Sequence, residues 1–495
     1  MLGVIASAGG LVFQPAVLIT MLLALPIGIV IGLLPGLSGI TAIAFLIPFS
    51  YGMEPLTGLA FLLAAYAAVS QGGSITAILL GVPGEVPNAA TVIDGYQLTK
   101  RGHGGAAIGA ALMASALGGL FGCVVLAFLL PVMQPVILSF ASPENFFLSL
   151  AGVSFIAVLG ATSPVRGLVA GMLGIFLSLF GYDPVEGVPR FWMGFEYLLD
   201  GFRLVPLALG LFALPEILTL MTTGRSIAQP GKVEPITYRQ VAEGALAVFK
   251  HLGIFFRSSV LGTLIGIMPG VGGSTAPFVA YAAARQTAEN PDTFGQGRIE
   301  GVIAPEASSN AKEGGALVPT LSLGIPGSSS MALLLGAFLI FGLQPGPDFL
   351  KKHMDIAIAL AWIVAFANVA SSFGMFLLSR TLTYVTRVPG RVLAPILLAI
   401  IVIGSYSTDN SVADVFFAFV FGTLGVVMER YQYNRAALLL GFVLGSTIER
   451  NYHVSMAAYG ASFVLRPVSI GIIAIALILI LWPNRKRVAL LWRRA

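Results

Sequence analysis

Residues 1–53 contain no aspartate, glutamate, lysine or arginine, and neither do residues 104–143. Each run is longer than the roughly 20 apolar residues that one spanning helix needs, so each must fold back or break inside a bilayer. The rest of the chain agrees: 57% of its 495 residues are hydrophobic and 10% are charged, against roughly 25% charged in an ordinary soluble domain. A soluble globular protein is thereby excluded. The short alternating segments of a transmembrane β-barrel are missing. The fold class read from the sequence is an all-α polytopic membrane protein with about 11–14 membrane segments, estimated from span length. The single Cys123 lies in an apolar run and reads as packing. The net charge of +5 sits in loops and the C-terminal tail, where it reports orientation and gives no sign of nucleic-acid binding. The N-terminus lacks a basic leader region, so the first apolar run is expected to stay as a spanning helix.

Residues 305–347, PEASSNAKEGGALVPTLSLGIPGSSSMALLLGAFLIFGLQPGP, are apolar enough for membrane depth, yet Glu306, Asn310, Lys312, Glu313 and many glycines, prolines and serines interrupt them. Irregular chain is tolerated in hydrocarbon only where protein buries it or where it lines a wet cavity. The stretch is therefore a candidate solute site. A weaker copy, GGSITAILLGVPGEVPN, occupies residues 72–88. A further helical hairpin is expected within 104–143, turning near Pro131 and Pro135.

The pattern occurs twice. GLLPGLSGITA at 32–42 matches GIMPGVGGSTA at 266–276 at a constant offset of 234 (266 − 32), and LGVPG at 80–84 matches LGIPG at 323–327 at 243 (324 − 81). A third echo sets Gly171 and Gly174 against Gly422 and Gly425. The chain thus divides into a first repeat (1–221), a basic linker (222–251), a second repeat (252–450) and an extra helix with a basic tail (451–495). Linker and tail read as cytoplasmic by their positive charge. An odd number of spans then falls in each repeat. The expected architecture is two inverted-topology repeats with broken helices and re-entrant hairpins, as in many secondary transporters.

In such transporters, helix N-termini exposed at breaks face anionic groups and freed carbonyls face cations. The candidate substrate-binding groups are Ser38, Gly39 and Thr41 at the first break, and Ser74, Pro83 and Gly84 at the first hairpin. Gly273, Ser274, Thr275, Asn310, Pro326, Gly327 and Ser328 are their partners in the second half. The plainer reading gives these glycines and prolines tight turns and packing surfaces. Gly36, Asn88, Asp94, Gly270, Glu306 and Asn310 are candidates for ion coupling, because polar groups in membrane segments mark ion pathways. Asn310 suits sodium, since a neutral amide ligates without a charge penalty. For Lys312, Glu313, Glu85 and Asp94 the plainer expectation is the membrane interface, solvated or paired with one another. Nucleophile, zinc and nucleotide-binding motifs are lacking, which is adverse to an enzyme; no organic cofactor is expected, and Na⁺ is a candidate coupling ion.

GLLPGLSG, GGSITAILLGVPGE with its downstream DGYQLTKRGHGGAAIGAA, APEASSNAKEGGALVPTLSLGIPGSSS and FGLQPGP together resemble the large membrane subunit of the tripartite tricarboxylate transporters, in order, over residues 15–480. The resemblance implies an ion-coupled importer of di- or tricarboxylates in the bacterial inner membrane. It also implies a periplasmic solute-binding protein and a small membrane subunit of about four helices as partners. Two positions depart from the family pattern: Asn310 stands without a neighbouring asparagine, and Phe341 stands where many members have histidine. A stand-alone permease or channel for small organic solutes is the alternative.

Overall fold

The computed structural model describes residues 2–34, 37–137, 140–159, 163–183, 185–223, 236–269, 272–381, 390–474 and 476–477. Among them, five helices are long and apolar enough to cross a membrane: Pro15–Gly32, Pro55–Leu80, Gly104–Pro135, Met354–Leu378 and Val412–Arg430. The number rises to seven if Tyr238–Lys250 with Leu252–Ile267, bent by 79°, and Arg435–Leu465 with Pro467–Ala474, bent by 65°, each count as one span. Shorter apolar helices fill the spaces between, and one two-stranded ribbon pairs Gly181–Tyr182 with Pro189–Arg190. Outward faces carry rows such as Ile19, Leu22, Leu23, Ile27 and Val30. Lipid in place of water makes that exposure favourable.

Two helix pairs at the centre are built alike. Pro15–Gly32 packs on Pro55–Leu80, and Leu252–Ile267 packs on Glu300–Leu323. A Cβ added at Gly28 or Gly32 would lie 2.3 Å from the carbonyl oxygen of Ala65 or Val69, respectively. In the second pair, a Cβ at Gly262 would lie 2.4 Å from the Ser308 oxygen, and one at Gly266 would lie 2.3 Å from the Lys312 oxygen. These contacts are related by the same offsets, 234 and 243, that relate the motifs. Glycine is required here because the helix backbones touch, the small-residue packing by which membrane helices associate without a hydrophobic driving force. Partners are also exchanged between the halves: Gly104–Ile137 lies along Glu300–Leu323, while Met354–Leu378 lies along Pro55–Leu80.

The sequence overstated the breaks in three places. Residues 104–137 form one helix that passes through Pro131 and Pro135 without a hairpin turn. Pro55–Leu80 runs unbroken through Gly72 and Gly73. Glu300–Leu323 runs unbroken through Pro305, Gly314, Gly315 and Pro319. Neighbouring helices enclose the Pro55–Leu80 and Glu300–Leu323 stretches, so a proline or glycine there loses little by staying helical, and hydroxyls such as Thr320 and Ser322 bond the carbonyls of Ala316 and Val318. The Pro55–Leu80 and Glu300–Leu323 helices end at Gly81 and Gly324, both left-handed with φ +68°, where an L side chain would be strained. Finally, Lys312, Glu313 and Asp94 are buried, and Glu85 is partly so, where the interface was expected. Hydrogen-bond and ion-pair partners offset the burial penalty in each case.

Within the range assigned to the linker, residues 238–250 form an amphipathic helix capped by Thr237. Its Gly244 meets the backbone of Ala106, and Tyr238 donates its hydroxyl proton to the Leu377 carbonyl. The linker helix therefore lies against the start of the Gly104–Ile137 helix and the end of the Met354–Leu378 helix.

Candidate functional site

The long buried helix Pro55–Leu80 carries Tyr66, Ser70 and Ser74 at four-residue spacing, so the three side chains share one face. That face looks onto the second half. Tyr66 donates to Glu313 Oε1 at 2.7 Å, and the same carboxylate is in direct contact with the Lys312 ammonium. A void of about 10 Å³, the size of one water, is lined by Tyr66, Ser70, Asn310, Glu313, Met331 and Asn368. Both halves contribute to it. Two helices begin close to it, Gly39–Leu46 and Ser329–Ile340, which pack on each other. Each is capped by a serine, Ser38 accepting from the Thr41 amide and Ser328 from the Met331 amide.

The Gly39 amide, at the tip of the first of these helices, donates to Glu85 Oε2 at 3.2 Å. A carboxylate of the protein itself thus sits at a helix N-terminus, where amides and dipole favour negative charge, and Lys312 lies near enough to Glu85 to attract it. The carboxylate held at this helix start is thus one of the chain's own.

A second polar cluster lies below the first hairpin. Glu306 is 1% exposed and accepts from Ser74 at 2.8 Å, Thr91 at 2.5 Å and Ser115 at 2.9 Å. Asn88 donates to Ser74 at 2.9 Å and accepts from the Glu85 amide at 3.1 Å. Asn310 donates to the Glu306 carbonyl, which links this cluster to the void. These three partners of the Glu306 carboxylate are neutral hydroxyls, an arrangement open to a proton or a small cation.

The two Gly-x-Pro-Gly corners are closed by equivalent contacts. A Cβ at Gly84 would lie 2.3 Å from Gly73 Cα, and one at Gly327 would lie 2.5 Å from Ala316 Cα. Pro83 and Pro326 precede these glycines, whose amides donate to the Gly73 carbonyl and the Thr320 hydroxyl.

The structure therefore brings together Ser38, Gly39 and Thr41 with Glu85, and Ser74, Asn88 and Glu306 with Asn310. Thr275 lies exposed at the start of the Gly272–Gln286 helix, which also contains Gly273 and Ser274. Gly36 and Gly270 lie outside the described residues. Asp94 stands apart. Its carboxylate accepts from Tyr281 and from the amides of Gly295, Gly297 and Arg298, all within 3.0 Å, so it clasps the 290–298 loop. Asp94→Ala is expected to speed tryptic cleavage at Arg298 by about tenfold or more, since several hydrogen bonds to a charged group are lost together; an unchanged cleavage rate contradicts that role.

Sequence reasoning missed Tyr66, Ser70, Thr91, Ser115 and Asn368. The 66, 70, 74 spacing in an otherwise apolar helix was the available signal. Phe341, one of the two departures from the family pattern, covers Gly58 with its ring.

A family model described as "Tripartite tricarboxylate transporter TctA family" matches residues 18–440. A protein of Agrobacterium vitis, "Uncharacterized 52.8 kDa protein in TAR-I ttuC' 3'region", is 33% identical over 461 residues, covering 91% of this chain and 90% of that protein. A second from the same organism, "Uncharacterized protein in TAR-II ttuC' 3'region", is 35% identical over 227 residues, 44% of this chain and 92% of its own length. No solved structure matches the chain.

Proposed function

This chain belongs to the tripartite tricarboxylate transporter TctA family, and from that premise we propose that it is the large, translocating subunit of a binding-protein-dependent secondary transporter. In this reading it imports di- or tricarboxylates across the bacterial inner membrane on a sodium or proton gradient. Its partners are a periplasmic solute-binding protein and a small membrane subunit of about four helices.

The observation that carries the reading is the helix N-terminus at Gly39, held against a carboxylate beside Tyr66 and Lys312, with the second half supplying the opposite wall. A substrate carboxylate has the same chemistry as Glu85. Exchange between an internal and an external carboxylate gives a reason for the void to be water-sized in this state and wider in another. Duplicated helix pairs with exchanged neighbours support inverted repeats that rock about a common site. Glu306 with its hydroxyls, and Asn310 beside it, are the groups proposed for the coupling ion.

The test is uptake of labelled carboxylates by proteoliposomes holding the chain with its two partners, under imposed sodium and proton gradients. Gradient-driven uptake is expected, lost without the binding protein. Uptake that persists without it favours the stand-alone permease. Asn310→Ala is expected to alter the dependence of uptake on the driving cation while leaving binding-protein affinity unchanged; an unaltered sodium and proton response removes Asn310 from the coupling groups.

A further inference from the structure

A separate cavity of about 450 Å³ lies away from the Tyr66 cluster, within the range of roughly 300–1,000 Å³ usual for small-ligand sites. Its walls include Asn145, Gln344, Thr447, Arg450 and Asn451, and Gly324 of the second corner lies in its floor. The helices that form it place it in the molecule. The linker helix flanks Gly102 and Leu377, at the start of the Gly104–Ile137 helix and the end of the Met354–Leu378 helix. The cavity lies at the other ends of both, beyond Ile137 and before Met354. A 25-residue helix is about 37 Å long, so linker and cavity lie on opposite faces of the membrane region.

The charged side chains in its lining are Arg450 and Asp348. Glu449, beside Arg450 in sequence, is engaged by Arg190, which also pairs with Asp183. Arg450 has no ion-pair partner among the described residues and lines the cavity; like the one carboxylate of the lining, Asp348, it is solvent-exposed. Asn145 Oδ1 is buried without a hydrogen-bond partner; rotation of the amide presents its NH₂ group there instead. A guanidinium with several amide and hydroxyl donors is a receptor for a small carboxylate.

We propose that this cavity is the entry vestibule of the carrier: it receives a di- or tricarboxylate on the face opposite the basic linker, holds one carboxylate at Arg450, and passes the substrate inward past Gly324. The assignment rests on the transport reading for the identity of the cargo.

The experiment uses the full-length chain with Cys123→Ser and Thr447→Cys, expressed in cells and treated from outside with a membrane-impermeant thiol reagent, with citrate and succinate as probes. Labelling of Thr447→Cys, protection by at least one probe, and about tenfold more probe needed once Arg450→Gln is added are the expected results, with Arg450→Lys intermediate. Absence of outside labelling, absence of protection by either probe, or equal protection in the Arg450→Gln background overturns the vestibule. The uptake assay separates the two readings. Gradient-driven uptake with an unprotected vestibule removes this inference alone, whereas absence of uptake across a carboxylate panel removes the transport reading.

Discussion

Gly84→Val and Gly327→Val are each expected to reduce carboxylate uptake by at least about tenfold while the protein still reaches the membrane. The cause is steric and lies in backbone. Even the first carbon of a new side chain would fall 2.3 Å from Gly73 Cα in one case and 2.5 Å from Ala316 Cα in the other. Neither obstacle is a flexible side chain, so the corner itself must move away from the helix it closes on. In each half that movement opens the hydrogen bond made by the glycine amide, to the Gly73 carbonyl or the Thr320 hydroxyl. It also displaces the next residue along the chain: Glu85 with its carboxylate at Gly39, and Ser328 with the helix it caps. A displacement of about 1 Å at a positioned site is enough for a hundredfold loss of rate, so tenfold is a lower bound. Gly253→Val is the control, since a Cβ there meets nothing within 4 Å. Membrane fractionation and a melting curve report insertion and fold, and proteoliposome uptake reports transport. Normal uptake by both corner variants would show that the corners are ordinary turns.

The legible part of the fold is the part set by forces that act locally. The charge-free runs announce membrane helices because no other solvent accepts them. The paired motifs announce a duplication because glycines that touch carbonyls cannot drift. Gly32 and Gly266 are in register in the sequence because Val69 and Lys312 are in register in space. Helix continuity was not legible, because it is set by neighbours. Pro305 and Pro319 are local breakers, and the surrounding helices overrule them. Burial of Lys312 and Glu313 was likewise hidden: a charged pair in isolation belongs at an interface, and only the position of Tyr66, 247 residues away, shows that an interior partner waits for it. Of the candidate site, Ser38 and Ser328 were legible as polar groups beside a break and a corner, and their role as helix caps came with the structure. The occupant of the first, Glu85, was not, since nothing local relates residue 85 to residue 39.

Lys312→Met is expected to destabilise the protein far more than the double change Lys312→Met with Glu313→Gln. The pair is buried, both side chains being under a tenth exposed, and the second carboxylate oxygen of Glu313 has no partner. Removing the ammonium alone leaves a carboxylate among Tyr66, Asn310 and Met331 with one hydroxyl to offset its desolvation. Loss of one member of a buried pair costs about 3–5 kcal/mol, whereas replacing both by neutral groups of similar volume is often nearly neutral. Glutamine in place of Glu313 still accepts from Tyr66, so the double variant keeps that hydrogen bond. Melting temperatures in detergent should therefore fall sharply for the single variant and largely recover for the double. Transport is expected to behave otherwise: the double variant folds and fails to concentrate carboxylate, because the substrate site proposed at the Gly39 helix start loses the positive charge of Lys312. Full uptake by the double variant would make the ion pair a packing element only, and a single variant that melts like the wild type would mean that Glu313 finds a proton or another partner as soon as the lysine is gone. Two readouts on two variants thus separate what the pair does for the fold from what it does for the cargo.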